Sequence, residues 1–179
     1  AMTFFAAPNM IVKAGATPVF VDVEPGTRNL DLAAAAARIG PRTKAIMPTH
    51  FAGLPCDMDA LYALAAAHKL RVIEDAALAI GSTWQGKPIG GFGDLCVFSF
   101  HPNKNITSIE GGALVVNDER EARDVEVLRF HGIARLPRDC RPAIHAARLV
   151  YAEIGREVER RGHDSVTQRA VVPRSRKLA

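Results

Sequence analysis

A lysine that is to capture an aldehyde must lose its proton, and a free lysine, with a pKa of about 10.4, keeps it at neutral pH. Such a residue needs a place where its charge is disfavoured or where the aldehyde is held beside it. Lys104 follows the apolar run Leu95–Phe100 within FSFHPNKNITSIEGGALVV, where Glu110-Gly111-Gly112 turns the chain back into another strand. Asp75 closes a second apolar run, LRVIEDAA (Leu70–Ala77). A carboxylate there can pair with a protonated ring nitrogen and keep that ring an electron sink. Ser99, at the end of its own run, can donate a hydroxyl to a phosphate. A lysine, an aspartate and a serine at strand ends occur in most α/β domains, so spacing alone leaves their roles open. His50 and His101 are candidates for a second base, against the commoner alternative of a satisfied, partly buried histidine. His68 falls late in a predicted helix, where a cation suits the dipole, and receives no functional role.

Between Thr17 and Asn117 the pattern alternates apolar strands with helices. Strands are predicted at Pro18–Val23, Lys44–Pro48, Leu70–Ala77, Leu95–Phe100 and Ala113–Asn117. LDLAAAAARIG reads as a helix capped by Asp31 and stopped by Gly40, and DMDALYALAAAHK as a second capped by Asp57. DEREARDVEVLRF, from Asp118, reads as a charged amphipathic helix. The alternation predicts an α/β fold, a three-layer αβα arrangement with a mostly parallel sheet and right-handed crossovers. Ligands in such sheets bind beyond the carboxyl ends of the strands, so Asp75, Ser99 and Lys104 are expected to converge at one edge. The glycines of GKPIGGFGD precede no helix and match no phosphate-binding GxGxxG, so they read as a turn feeding the next strand. Trp84 reads as a turn or interface aromatic. Past Gly132 the order weakens: Ile133–Pro142 holds two prolines and four charges, Ile144–Arg161 could form one helix, and 162–179 are expected to be frayed. The domain reading is therefore 1–132 and a basic tail, 133–179.

A chain of 179 residues suits one good-sized domain, and 48% hydrophobic with 23% charged residues is ordinary for a globular protein. No apolar run approaches the roughly 20 residues that span a bilayer. The opening AMTFFAAPNM lacks the charged and apolar regions of a signal peptide, so a cytoplasmic location is expected. Cys56, Cys96 and Cys140 have no metal-type spacing, and their odd number does not suggest a disulfide framework. No metal is expected. The net charge of +4 belongs to the tail: residues 1–132 carry 12 Lys/Arg against 14 Asp/Glu, and 133–179 carry 11 against 5. With almost no aromatics among its arginines, the tail reads as a poorly packed end rather than a nucleic-acid contact.

The strings VIEDAALAIGS, GGFGDLCVFSFHPNKNITSIEGGALVVND and AMTFFAAPNMIVKAGATPVFVDV together resemble the DegT/DnrJ/StrS aminotransferases. The resemblance runs through about Gly132, with dense motifs in order. It implies the large domain of the aspartate-aminotransferase fold and pyridoxal 5'-phosphate (PLP) as cofactor. It implies transfer of an amino group from an amino acid, commonly glutamate, to a keto-sugar nucleotide, by a full-length homodimer. The spelling SFHPNKNIT…EGG and the LRFHG segment look most like the branch making 4-amino-sugar nucleotides for the cell envelope, including the aminoarabinose enzyme. By the same resemblance, Lys104 is the Schiff-base lysine, Asp75 the partner of the pyridine nitrogen, Ser99 a phosphate ligand, and Phe4 the aromatic stacked on the ring.

Three features depart from the family pattern. Leu78 stands where a Gln or His is usual (EDAAQ or EDAAH, here EDAAL), and leucine cannot hydrogen-bond. The family's phosphate-binding N-terminal segment and its small C-terminal domain have no counterpart in the sequence. GREVE (Gly155–Glu159) sits where the family has a comparable stretch, but RRGHDSVTQRAVVPRSRKLA resembles nothing in it, as a shifted reading frame or degraded gene would give. A non-catalytic remnant is therefore one rival reading, and large exposed apolar patches are expected. A PLP-dependent sugar dehydratase is another; that branch has histidine in place of the lysine, so Lys104 argues against it.

Overall fold

The computed structural model describes residues 1–134 and Arg160. The tail, including the helix expected over 144–161, lies otherwise outside the described residues. In chain order the elements are α1 (Ala6–Lys13), α2 (Leu32–Ala36), β1 (Ala45–Ile46), a 3-10 turn (Phe51–Gly53), α3 (Met58–His68) and β2 (Arg71–Asp75). They continue with β3 (Thr83–Trp84), β4 (Lys87–Pro88), β5 (Leu95–Ser99), β6 (Gly112–Val116) and α4 (Glu119–Ala134). The chain divides into two units, Ala1–Ala122 and Arg123–Ala179, and of the second only the continuation of α4 and Arg160 are described. Among the described residues no helix is long and apolar enough to cross a membrane.

Four strands form the main sheet in the order β1-β2-β5-β6. β1–β2 and β2–β5 are parallel, and β5–β6 is antiparallel. The expected α/β fold with a mostly parallel sheet is thus present. The antiparallel last pair follows from its connection: the link from Phe100 to Gly111 contains no helix, and a parallel return needs a long crossover. Pro18–Val23, expected as a strand, joins no sheet. It contributes only a bridge between Val23 and Leu30, and Val19 and Phe20 are 60% and 58% exposed. Its β-branched composition fits a pleated surface, but among the described residues no neighbouring strand supplies the ladder bonds.

The two expected helix caps form. Asp31 accepts from the Ala34 N–H at 3.0 Å and Asp57 from the Ala60 N–H at 3.0 Å. Here α2 ends at Ala36 rather than running to Gly40. α3 ends on Lys69 in the left-handed conformation (φ 54°). Gln85 and Gly86, both with positive φ (49° and 81°), close the β3–β4 hairpin, and Trp84 Nε1 donates to Asp59 Oδ2 at 3.1 Å. So Trp84 ties the hairpin to α3.

One face of the sheet carries Val72, Glu74, Cys96 and Phe98, all buried, with Met58, Leu61 and Ala65 of α3 in the same core. The opposite face is partly open, with Val97 40% and Leu114 43% exposed. α1 buries no residue, and Phe4, Phe5, Met10 and Val12 are exposed, in keeping with the expected apolar patches.

The buried face also holds groups that titrate only in alkali. Burial pushes the Cys56 thiol from 9.0 up to about 11 and, with Glu74 adding to it, the Cys96 thiol up to about 12. Burial first, then its hydrogen bond to Glu74, raises the Tyr62 phenol as well. Each group is neutral when protonated, so the unfolded chain loses these protons at lower pH than the fold does. Their contribution to stability is complete below pH 9 and is lost as pH rises through about 11 and 12. Urea midpoints should therefore fall steadily above pH 9, less steeply in Cys56→Ala; a parental slope in that variant would contradict this account.

Candidate active site

The register that begins in β1 and β2 continues past β1. Ala45 pairs with Arg71 and Thr49 bridges Asp75, the same offset of 26 in both cases (71 − 45 and 75 − 49). The Asp75 N–H donates to Pro48 O at 2.8 Å, and the His50 N–H donates to Asp75 O at 3.0 Å. Thus the end of β2 is bracketed by the turn that follows β1.

The carboxylate of Asp75 is oriented by two neighbours. Its Oδ1 accepts the Ala77 N–H at 3.2 Å, and its Oδ2 lies 3.4 Å from the Thr49 hydroxyl, which is also 3.1 Å from the hydroxyl of Thr3. Asp75 pairs with Val97, and strand alternation puts Ser99 on that same, partly open face. The Ser99 Oγ accepts the His101 N–H at 3.4 Å.

Lys104 lies in the loop after β5, half-buried, its N–H donating to His101 O at 3.0 Å. The next residue anchors that loop: Asn105 Nδ2 donates to the Leu78 carbonyl at 3.1 Å. Leu78 belongs to the loop after β2, and Gly53, from the turn after β1, packs against that same carbonyl. A Cβ on Gly53 would stand 2.7 Å from Leu78 O, and Ser82 Oγ donates to Gly53 O at 2.7 Å. Three loops at the carboxyl ends of parallel strands therefore meet around one carbonyl oxygen. This arrangement assembles Asp75, Ser99 and the Lys104 loop at one end of the sheet. Phe4 is 65% exposed, with its ring centroid 4.3 Å from that of Phe5; only its neighbour Thr3 reaches the group, through Thr49.

The two histidines weighed as second bases separate. His101 is exposed, its Nδ1 2.7 Å from Asn103 Oδ1. His50 is buried (1% exposed) on the far side of the sheet, where its Nδ1 accepts the Cys56 N–H at 3.1 Å. That nitrogen carries no proton, so Nε2 does, and it donates to Glu74 Oε2 at 3.1 Å. Tyr62 donates to Glu74 Oε1 at 2.7 Å, and the phenol oxygen accepts the Asp94 N–H at 3.3 Å. His50 is thus a satisfied core histidine rather than a base. Sequence reasoning passed over Glu74, Tyr62, Thr49 and Asn105. Only the two-residue period of β2 could have separated Glu74 from Asp75.

A sequence profile described as the DegT/DnrJ/EryC1/StrS aminotransferase family matches residues 1–151. The chain belongs to this family. The chain is 49% identical over 132 residues to GDP-perosamine synthase from Caulobacter vibrioides, covering 74% of this chain and 36% of that protein. It is 45% identical over 134 residues to the spore coat polysaccharide biosynthesis protein SpsC from Bacillus subtilis, covering 75% and 34%. Among solved structures, DesI in the presence of its TDP-sugar product superposes with a TM-score of 0.68 at 44% identity, covering 71% of this chain and 32% of that one. The chain spans about a third of the length of the curated relatives it matches. Aminotransferases of this family depend on PLP. The groups present suit that cofactor: an amine on a half-buried lysine, a carboxylate already oriented by an N–H and a hydroxyl, and a serine hydroxyl on the same face.

Gly53 makes the junction of loops testable. Its φ of +86° is strained for any other residue, and an added Cβ would collide with backbone. Gly53→Ala should cost about 1–3 kcal/mol, read as a lower urea midpoint, and should speed amide exchange in residues 76–82. Parental stability would mean that the three loops are not packed against one another as described.

Proposed function

We propose that the protein is a PLP-dependent aminotransferase that moves an amino group from an amino acid, glutamate being the donor expected, to a nucleotide-linked keto sugar. The observation that carries the reading is the joining of the loop after Asp75 to the loop that runs from Ser99 through Lys104, at the carboxyl ends of parallel strands, in a chain of this family. Bound PLP supplies an aldehyde that captures amines and a ring that accepts electrons. Lys104 would hold the cofactor through its amine, and that amine, when free, would serve as the base and acid that moves a proton between the substrate's carbon and the cofactor's. Asp75, fixed by Ala77 and Thr49, keeps the ring nitrogen protonated by pairing with it. Ser99 donates to the phosphate. Phe4, exposed beside the Thr3–Thr49 contact, covers the ring face.

The keto sugar is inferred from GDP-perosamine synthase and from the TDP-sugar product in the DesI structure. A 4-keto sugar of the cell envelope is the narrower reading that the motif spelling favours. A homodimer belongs to the same proposal and fits the exposed apolar side chains of α1. The domain reading of 1–132 as the cofactor-binding part is retained in it.

Leu78 contributes its backbone to the site, while its side chain offers no polar contact to a cofactor. Incubation with millimolar PLP followed by borohydride should place a pyridoxyl group on Lys104, found by peptide mass spectrometry. Label on surface lysines with none on Lys104 would remove the basis of the proposal. Leu78→Gln should tighten PLP binding about threefold, since one added hydrogen bond contributes roughly 0.5–1.5 kcal/mol.

A further inference from the structure

His50 holds two successive residues of β2, one through its backbone in the plane of the sheet and the other through its side chain on the buried face. Its backbone N–H donates to Asp75 O at 3.0 Å, and its side chain, beneath the sheet, donates from Nε2 to Glu74 Oε2 at 3.1 Å. The ring is held at its other end by the Cys56 N–H on Nδ1. Both partners are essentially sealed from water, His50 and Glu74 each being 1% exposed. A buried polar group in this setting has one well-satisfied arrangement, because any displacement leaves a donor or acceptor unpaired.

What that arrangement fixes is the turn carrying Thr49. Pro48 precedes it and cannot donate a ladder bond, so the turn meets the end of β2 through only two backbone bonds, Asp75 N–H to Pro48 O and His50 N–H to Asp75 O. Ala52 and Gly53, just beyond, both have positive φ (53° and 86°), a conformation that has to be held from outside. Thr49 in turn supplies the hydroxyl 3.4 Å from Asp75 Oδ2. A continuous path of contacts therefore runs from the core carboxyl of Glu74, through the ring and backbone of His50, to Thr49 and the carboxylate of Asp75.

We infer that the buried Glu74–His50 pair, with Tyr62 on the second carboxyl oxygen, is a positioning device that holds Thr49 and Asp75 in the geometry needed to receive the cofactor's ring nitrogen. His50 and Glu74 never touch the cofactor in this arrangement; they act through the turn. The inference rests on the reading of Asp75 as the ring-nitrogen partner, but the mechanical link from His50 to Asp75 is independent of it.

The test compares His50→Gln, His50→Leu, Thr49→Val, Asp75→Asn and Leu61→Ala in the full chain. PLP affinity is measured by absorbance titration, and amide exchange at His50 and Asp75 without PLP. Gln retains an N–H for Glu74, so His50→Gln should stay within about threefold of the parent in PLP affinity. His50→Leu should weaken PLP binding at least tenfold and speed exchange at both amides. Leu61→Ala lowers stability through a core cavity off this path and should leave the affinity of the folded protein unchanged. If His50→Leu does not fold, Thr49→Val decides, with affinity reduced several-fold and no change in thermal midpoint. Parental affinity and exchange in folded His50→Leu, or parental affinity in Thr49→Val when His50→Leu does not fold, would overturn the inference. So would an equal loss of affinity in Leu61→Ala, because general destabilisation would then account for the effect. Asp75→Asn separates the two ideas. If it binds PLP like the parent, the assignment of Asp75 is wrong, and the exchange rates alone then judge the link.

Discussion

The structure depends on β2 placing two adjacent carboxylates on opposite faces of one sheet. Glu74 goes into the core and Asp75 onto the partly open face, as the two-residue period of a strand requires. A carboxyl group with 1% exposure has no water to bond and must be met by protein donors. His50 comes from the turn after β1 and Tyr62 from α3, while Cys96 of the neighbouring strand β5 is the register partner of Glu74. Each donor lies on a different element, so satisfying Glu74 sets the relative placement of both. Removing one partner from such a set leaves a buried polar group unpaired, which costs about 1–3 kcal/mol. That is a large share of a small domain's net stability.

The open face inherits its order from this arrangement. Asp75 is flanked by Ala77 and Thr49 because β2 ends there and the turn after β1 is drawn across that end. Beyond, the loops are joined at the Leu78 main-chain carbonyl, which meets the Asn105 side chain and the Gly53 backbone, the latter too close to it for a side chain. At Leu78 the link uses the main-chain carbonyl, which every residue supplies. The sheet edge at the other end is fixed separately: Asp94 bonds both the Arg71 side chain and the Val72 N–H, which sets the start of β2 beside that of β5. β2 is therefore held in register at both ends.

Much of this was legible in the sequence, for physical reasons that differ by element. The apolar runs ending in Asp75 and Ser99 read correctly because a strand buried in a parallel sheet needs apolar residues over its whole length. Asp31 and Asp57 read as caps because the first N–H groups of a helix require an acceptor. Pro18–Val23 misled because composition reports fitness for a pleated surface, whereas a strand also needs a partner. The antiparallel direction of β6 was readable in principle from its helix-free connection, but strand patterning carries no direction. The Glu74 network was the hardest to see. "ED" at a strand end looks like one acidic patch, and only the facing of β2, together with a histidine 24 residues earlier and a tyrosine 12 residues earlier, reveals two unlike environments.

The same logic explains why Leu78 can depart from the family pattern without disturbing the fold. Its structural work is done by the carbonyl oxygen, which every residue has, and by the closeness of Gly53, which depends on the glycine. A leucine there changes only what the loop presents to a ligand. Asp75 and Leu78 thus illustrate two kinds of site residue. The position of Asp75 is over-determined by bonds to its main chain and its carboxylate. For Leu78 the main chain is fixed while the side chain is free to vary. Substitution at the first kind alters the site and its support together. At the second kind it alters binding chemistry alone, and there a family can change what its members bind while keeping the scaffold that holds the cofactor.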